Sequence, residues 1–157
     1  MIKLTTKSRL LISSIVAICA LIIIAFNTTK NNTLFYLSDK YYNTGEIIKV
    51  DENGINNLSN DSYLLFTYNS FCSMAKPCEE VFDKVLKDNK IDYYSIPIEN
   101  FRKTIFHDTV KLAPSFMIIK NGKLVAYLDP EKDSDLDYFQ NESDFEKWLN
   151  SHIYLKK

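Results

Sequence analysis

The sequence predicts an α/β fold, a central mixed sheet flanked by helices, preceded by an N-terminal transmembrane helix. Three observations predict it. An uncharged, mostly apolar run, Leu10–Phe26, follows a basic flank. Downstream, strand-like apolar segments alternate with segments of helical period. An Asn-Gly turn then divides two final strand-like runs into a hairpin.

Taken in order, residues 1–9 carry Lys3, Lys7 and Arg9 and form the cytoplasmic basic flank. The run 10–26 reaches the length, about 17 residues, at which a helix crosses a hydrocarbon core. Phe26 and Asn27 spoil a small-residue cleavage site, and Ile18 suits a lipoprotein cysteine at Cys19 poorly. The run therefore reads as an uncleaved signal anchor rather than a cleaved signal peptide or a buried core helix. The positive flank stays inside, so the protein is expected at the cell membrane, single-pass, with its C-terminal domain outside the cytoplasm. Residues 27–45 read as a polar linker with an aromatic-bearing approach to a domain spanning 46–157. The N-x-S/T triplets, the first at Asn27, are no more than an Asn-rich chain produces by chance.

Within the domain, Glu46–Val50 is a short β-rich run, and Ile55 and Leu58 stand at the spacing of a short, weak helix. Ser62–Asn69 has too many consecutive apolar residues for a half-exposed strand and reads as a central one covered on both faces. Val81, Phe82, Val85 and Leu86 recur on one face of an amphipathic helix. Ile91–Ile98 is the next strand, and the mixed segment 99–113 follows it. Ser115–Ile119, the turn Lys120–Gly122 and Lys123–Leu128 form the hairpin. Ser143 and Glu146 have capping-box spacing and open a last helix, on which Phe145, Trp148, Leu149 and His152 share a face. The acidic run 129–137 has the composition of a solvated loop rather than a calcium site.

A net charge of −1 with no long basic run excludes nucleic acid as an expected partner. His107 and His152 lie at no ligand spacing from a cysteine, so no metal and no other cofactor is expected.

The element order and its punctuation resemble the thioredoxin family over Glu46–Ile153. Phe71-Cys72 ends a buried strand just before a helix, and Pro114 opens the segment "APSFMIIKNGK". The resemblance implies a cis Ala113–Pro114 bond lying against an active-site cysteine. It also implies thiol–disulfide exchange on protein thiols and disulfides by a monomer. The family's C-x-x-C-K motif places Cys72 as nucleophile and Lys76 as its lysine, but puts Ala75 at the second cysteine. Phe66 stands where many members carry a buried acid. In the other register Cys78 takes the resolving position. Ser73 and Met74 would set the environment of the thiolate, and Ala113 and Pro114 would bind substrate backbone.

The two cysteines, Cys72 and Cys78, then divide on where the helix starts. A thiol at a helix N-terminus has its thiolate stabilised by unpaired N–H groups and the dipole. A helix starting near Ser73 separates the two Cα atoms by about 9 Å along its axis, at about 1.5 Å per residue. That is beyond the roughly 7 Å a disulfide tolerates. A helix starting at Pro77, a favoured first residue, leaves residues 72–76 as a loop able to fold back and bridge the pair. Three roles stay open: an exchange enzyme, a binding or accessory module in which the pair is a structural staple, and, more remotely, a copper carrier using Met74 and His107.

Overall fold

The computed structural model describes residues 34–69 and 77–156. The expected cytoplasmic flank and anchor, the linker through Thr33, and Cys72, Ser73, Met74 and Lys76 lie outside the described residues. Among the described residues no helix is long and apolar enough to cross a membrane.

Five strands form one sheet in the order β1-β3-β2-β4-β5: β1 (Ile47–Lys49), β2 (Tyr63–Tyr68), β3 (Tyr93–Pro97), β4 (Ser115–Lys120) and β5 (Lys123–Tyr127). β1, β3 and β2 pair in parallel, while β2–β4 and β4–β5 are antiparallel, giving the mixed sheet the sequence predicts. The reason lies in the residues. β2 is buried from Tyr63 to Thr67 and β4 from Ser115 to Ile119, as continuous apolar runs in a sheet's centre require. β5 leaves Lys123 and Val125 exposed and closes one edge. Asn121 (φ 49°) and Gly122 (φ 70°) make the tight turn between β4 and β5, where two positive φ angles suit the strand twist. A Cβ on Gly122 would sit 1.9 Å from the Ser59 carbonyl oxygen, so only glycine fits.

Among the described residues five helices accompany the sheet: α1 (Glu52–Asn56), α2 (Cys78–Asp88), α3 (Ile98–Phe101), α4 (Leu136–Gln140) and α5 (Glu142–Asn150). α2 buries Cys78, Val81, Phe82, Val85 and Leu86, the stripe predicted by its period. Phe82 meets Phe66 of β2 at 5.3 Å and Phe145 of α5 at 4.4 Å between ring centres, so α2 and α5 cover one face through an aromatic core. Tyr63 and Tyr94 project to the opposite face and meet Tyr41 edge-on or tilted.

Three local expectations are corrected. The cap of α5 is Asn141, whose extended backbone lets its side-chain oxygen accept from Ser143 N (2.9 Å) and Asp144 N (3.3 Å); Ser143 is already inside the helix. The acidic run is not all loop: Asp133–Asp135 makes a 3-10 turn leading into α4, anchored by buried Phe139. Asp135 is buried there, accepting from Asp129 N and pairing with Lys132.

Residues 34–45, read as the end of a linker, belong to the folded unit Leu34–Lys157. Phe35 bridges Ile153 in parallel, and Leu37 and Tyr41 are buried. The Asp92 carboxylate fastens the stretch. Its Oδ1 accepts from the backbone N–H of Thr44 (3.2 Å), Gly45 (2.8 Å) and Glu46 (2.8 Å), and its Oδ2 from Asn43 (3.2 Å).

Candidate functional site

In a parallel β-α-β crossover the strand's C-terminal end and the helix's N-terminal end meet on one side of the sheet. β2 ends there at Tyr68, β3 at Pro97, and α2 begins there at Cys78. β4 runs antiparallel to β2, so its first residue arrives at the same end, where Thr67 pairs with Ser115. The Ala113–Pro114 peptide bond immediately before it is cis, as the resemblance implied. Pro114 is buried and Ala113 half-buried. Ser115 fastens the loop by donating its hydroxyl to the Leu112 carbonyl at 2.8 Å. Of the residues expected to form the site, Cys78, Ala113 and Pro114 are therefore at one end of the sheet. Cys72, Ser73 and Met74 lie outside the described residues.

Pro77 has φ −57° and ψ 117°, so it stands outside the helix and α2 begins one residue later. Of the two helix starts the sequence left open, the one at Pro77 is met to within a residue. An unbroken helix from Ser73 through Cys78 is not, because Pro77 is not helical. The first turn of α2 carries Glu79 and Glu80, carboxylates that suit the positive end of the helix dipole. Cys78 itself faces inward and is only 3% exposed.

Phe66, at the position of the family's buried acid, is fully apolar in its surroundings, stacking with Tyr68 and meeting Phe82 and Phe116. His107 Nδ1 lies 3.2 Å from the Val110 carbonyl, and His152 Nδ1 lies 2.8 Å from the Trp148 carbonyl. Among the described residues no group of His, Cys, Asp or Glu could hold a metal ion.

Two features escape a reading of the sequence. Beside the Pro114 loop lies a cavity of about 220 Å³, lined by Val110, Leu112, Ser115, Tyr127, Asp129 and Glu131. It joins segments about 15 residues apart in sequence that no local pattern connects. The second is Tyr93, 0% exposed on β3, whose hydroxyl has no hydrogen-bond partner. A hydroxyl in the middle of an otherwise apolar sheet position was the available signal. Burial first, then the charges of Asp83 and Glu79 and the sulfur of Cys78, push the Tyr93 hydroxyl far above the usual tyrosine range. It keeps its proton and remains a donor.

No protein-family model matches the chain, and no curated protein matches it. Solved structures do. A mutant thioredoxin from Halobacterium salinarum NRC-1 matches with a TM-score of 0.53 at 16% identity, covering 73% of this chain and 97% of that one. A thioredoxin from Malassezia sympodialis gives 0.48 at 14% identity, over 69% of this chain and 91% of its own. Oxidised thioredoxin from Plasmodium falciparum gives 0.47 at 18% identity, over 66% and 97%. At such identities the likeness is one of fold, and the first match carries it: the domain has a thioredoxin-like fold.

Proposed function

We propose that the protein is a membrane-anchored, extracytoplasmic thiol–disulfide oxidoreductase acting on protein disulfides. The observation that carries this reading is the start of α2 at Cys78, directly after non-helical Pro77, at the sheet end that Pro114 and Ser115 also reach. That is the geometry in which the sequence lets Cys78 meet Cys72.

The chemistry follows from the residue types. The Cys72 thiolate attacks a substrate disulfide, forming a mixed disulfide and releasing the first substrate sulfur. Cys78 then attacks the Cys72 sulfur; the Cys72–Cys78 bond forms, the bond to substrate breaks, and the substrate leaves reduced by two electrons. A dithiol donor returns the pair to its reduced form. Pro114 shapes the groove and, with Ala113, offers backbone to an extended substrate, and Ser73 and Met74 set the environment of the attacking thiolate. The basic flank and the run 10–26 hold the domain outside the membrane.

A second reading has its own observation. Ala75 stands at the second motif cysteine, and Phe66, packed on Phe82, stands at the position of the buried acid, as in a module that has kept the fold and uses a Cys72–Cys78 bond as a staple.

Alkylation of the reduced full-length chain against pH, resolved by residue, separates the two. The enzyme reading expects Cys72 to titrate below the roughly 8.5 of an ordinary thiol. It also expects disulfide reduction to vanish in Cys72→Ser. An ordinary titration at Cys72 with a blank reductase assay, and a large loss of stability on removing either cysteine, would establish the staple instead. Retention of the chain in the membrane after alkaline extraction, with labelling from outside, tests the location; a mature chain starting near Asn27 would overturn the anchor.

A further inference from the structure

Large apolar or aromatic side chains exposed singly are ordinary, whereas a contiguous group of them marks a surface that meets something other than water. Among the described residues five are exposed: Leu34, Tyr36, Ile105, Val125 and Tyr154. Three of the five gather in one place. Leu34 and Tyr36 are exposed while Phe35 and Leu37 are buried, the alternation of a strand with one face outward. The Phe35 carbonyl accepts from Tyr154 N at 2.9 Å, and the Tyr154 ring stands 4.8 Å from that of Tyr36. The Tyr42 ring is 6.4 Å from Tyr36, and Lys156 Nζ lies over both, 5.9 Å from Tyr36 and 4.5 Å from Tyr42. Lys120 Nζ lies 4.7 Å over the ring of Phe35. Lys120 ends β4, and Ser38 N donates at 2.8 Å to the carbonyl of Ser62, just ahead of β2. The patch therefore sits where β2 begins and β4 ends. The Pro114 loop is at the other end of the same strands, about 20 Å away along the six residues of β2 at about 3.3 Å each.

We propose that Leu34, Tyr36, Tyr154 and Lys156 seat the domain on the interfacial zone of a phospholipid bilayer, with the Pro114 end of the sheet turned away from it. The proposal rests on the anchor reading above. Seven residues, 27–33, separate the apolar run 10–26 from Leu34. Fully extended they reach about 25 Å, at no more than about 3.6 Å each. A domain tethered through Leu34 on so short a chain meets the bilayer first with this patch. The residue types suit that zone. A tyrosine has an apolar ring and a polar tip, and a lysine lays its stem along apolar surface while its charge stays in water. Charge contributes little, because Lys156 pairs with Asp39 and Lys40 with Asp61. The occupant is therefore the boundary between hydrocarbon and headgroups rather than an anionic headgroup. Seated in this way, the domain presents the candidate site to water-borne protein substrates.

The test places the full-length chain, labelled for NMR, in phosphatidylcholine bilayers that carry some lipid with a nitroxide on its headgroup. The amide signals of Phe35, Lys120 and Tyr154 are expected to broaden, and those of Thr67 and Ser115 to stay sharp. Adding phosphatidylglycerol should change the pattern little. A triple variant, Leu34→Ser, Tyr36→Ser and Tyr154→Ser, changes exposed side chains only and should keep the remaining signals in place. It is expected to lose the broadening at Lys120. A bare tether gives a different result: broadening near Leu34 that fades along the chain and treats Lys120 and Ser115 alike. That equality in the parent chain, or broadening at Lys120 that survives the triple variant, overturns the proposal. So does a contrast that appears only with phosphatidylglycerol, or one that needs a second membrane protein, since the patch would then serve an anionic headgroup or a protein partner. Release of the chain by alkaline extraction would remove the anchor reading by itself. The same chain added to preformed phosphatidylcholine vesicles at neutral pH then decides the patch: a contrast between Lys120 and Ser115 upholds it, and equal signals overturn it.

Discussion

Asp92 and Tyr93 are adjacent in the chain, both are buried, and they live in opposite circumstances. Asp92 projects to the start of the sheet and is surrounded by donors: three backbone N–H groups, the Thr44 hydroxyl and the Asn43 amide. Tyr93 projects beneath α2 and its hydroxyl meets nothing. Burial works against charge on Asp92, but hydrogen bonds led by Glu46 N and Asn43 outweigh it and hold the carboxyl below the usual carboxylate range. Next door, nothing offsets the burial of the Tyr93 hydroxyl. A saturated buried group is a fastening. An unsaturated one fastens nothing.

Removing the fastening should have the largest effect. Asp92→Ala leaves several donors buried without an acceptor and is expected to cost about 3 kcal/mol in urea unfolding, with loss of order in the 34–45 stretch. Next comes Gly45→Ala. Gly45 has φ 82°, and a Cβ there would stand 2.5 Å from Lys87 Cα, so the turn that aims its N–H at Asp92 must shift. About 2 kcal/mol is expected, and less in an Asp92→Ala background, because both act on one turn.

Acid unfolding sharpens the same point. A carboxylate whose folded pKa lies below its unfolded value stabilises fully above the unfolded value, about 3.9, and loses that contribution as pH falls through the folded one. Stability should decline below about pH 4, and Asp92→Asn should flatten that decline without abolishing it. Asp61, held low chiefly by the hydrogen bond from Lys40, supplies part of what remains.

The smallest effect belongs to Tyr93→Phe. Deleting a hydroxyl that has no partner forfeits no hydrogen bond, so stability should change by less than about 1 kcal/mol or rise slightly. A loss comparable to that of Asp92→Ala would mean the hydroxyl is a fastening too, and the contrast would collapse.

The same contrast explains what the sequence made legible. β2 and β4 announce themselves because burial on both faces demands unbroken apolar runs, Tyr63–Phe66 and Phe116–Ile119. The helix α2 shows in Val81, Phe82, Val85 and Leu86, and the hairpin in Asn121-Gly122. Residues 34–45 did not, because the run Leu34–Leu37 is too short to show a period and Asp92, which fastens Asn43 to Glu46, lies 46–49 positions further on. The helix α4 hid behind acidic neighbours, with Phe139 as its single buried anchor. At the site, Pro114 and the helix start after Pro77 are written locally in proline chemistry.

If Cys72 attacks and Cys78 resolves, the exchange intermediate can be trapped covalently. In Cys78→Ser, presented in its membrane with a disulfide-bonded peptide on the outer side, Cys72 should accumulate as a stable mixed disulfide with the peptide. A dithiol reagent should release it, and the parent chain should hold none at steady state while reducing the peptide. No adduct on Cys72 in Cys78→Ser, with no peptide reduced by the parent, would leave a thioredoxin-like fold without the exchange chemistry.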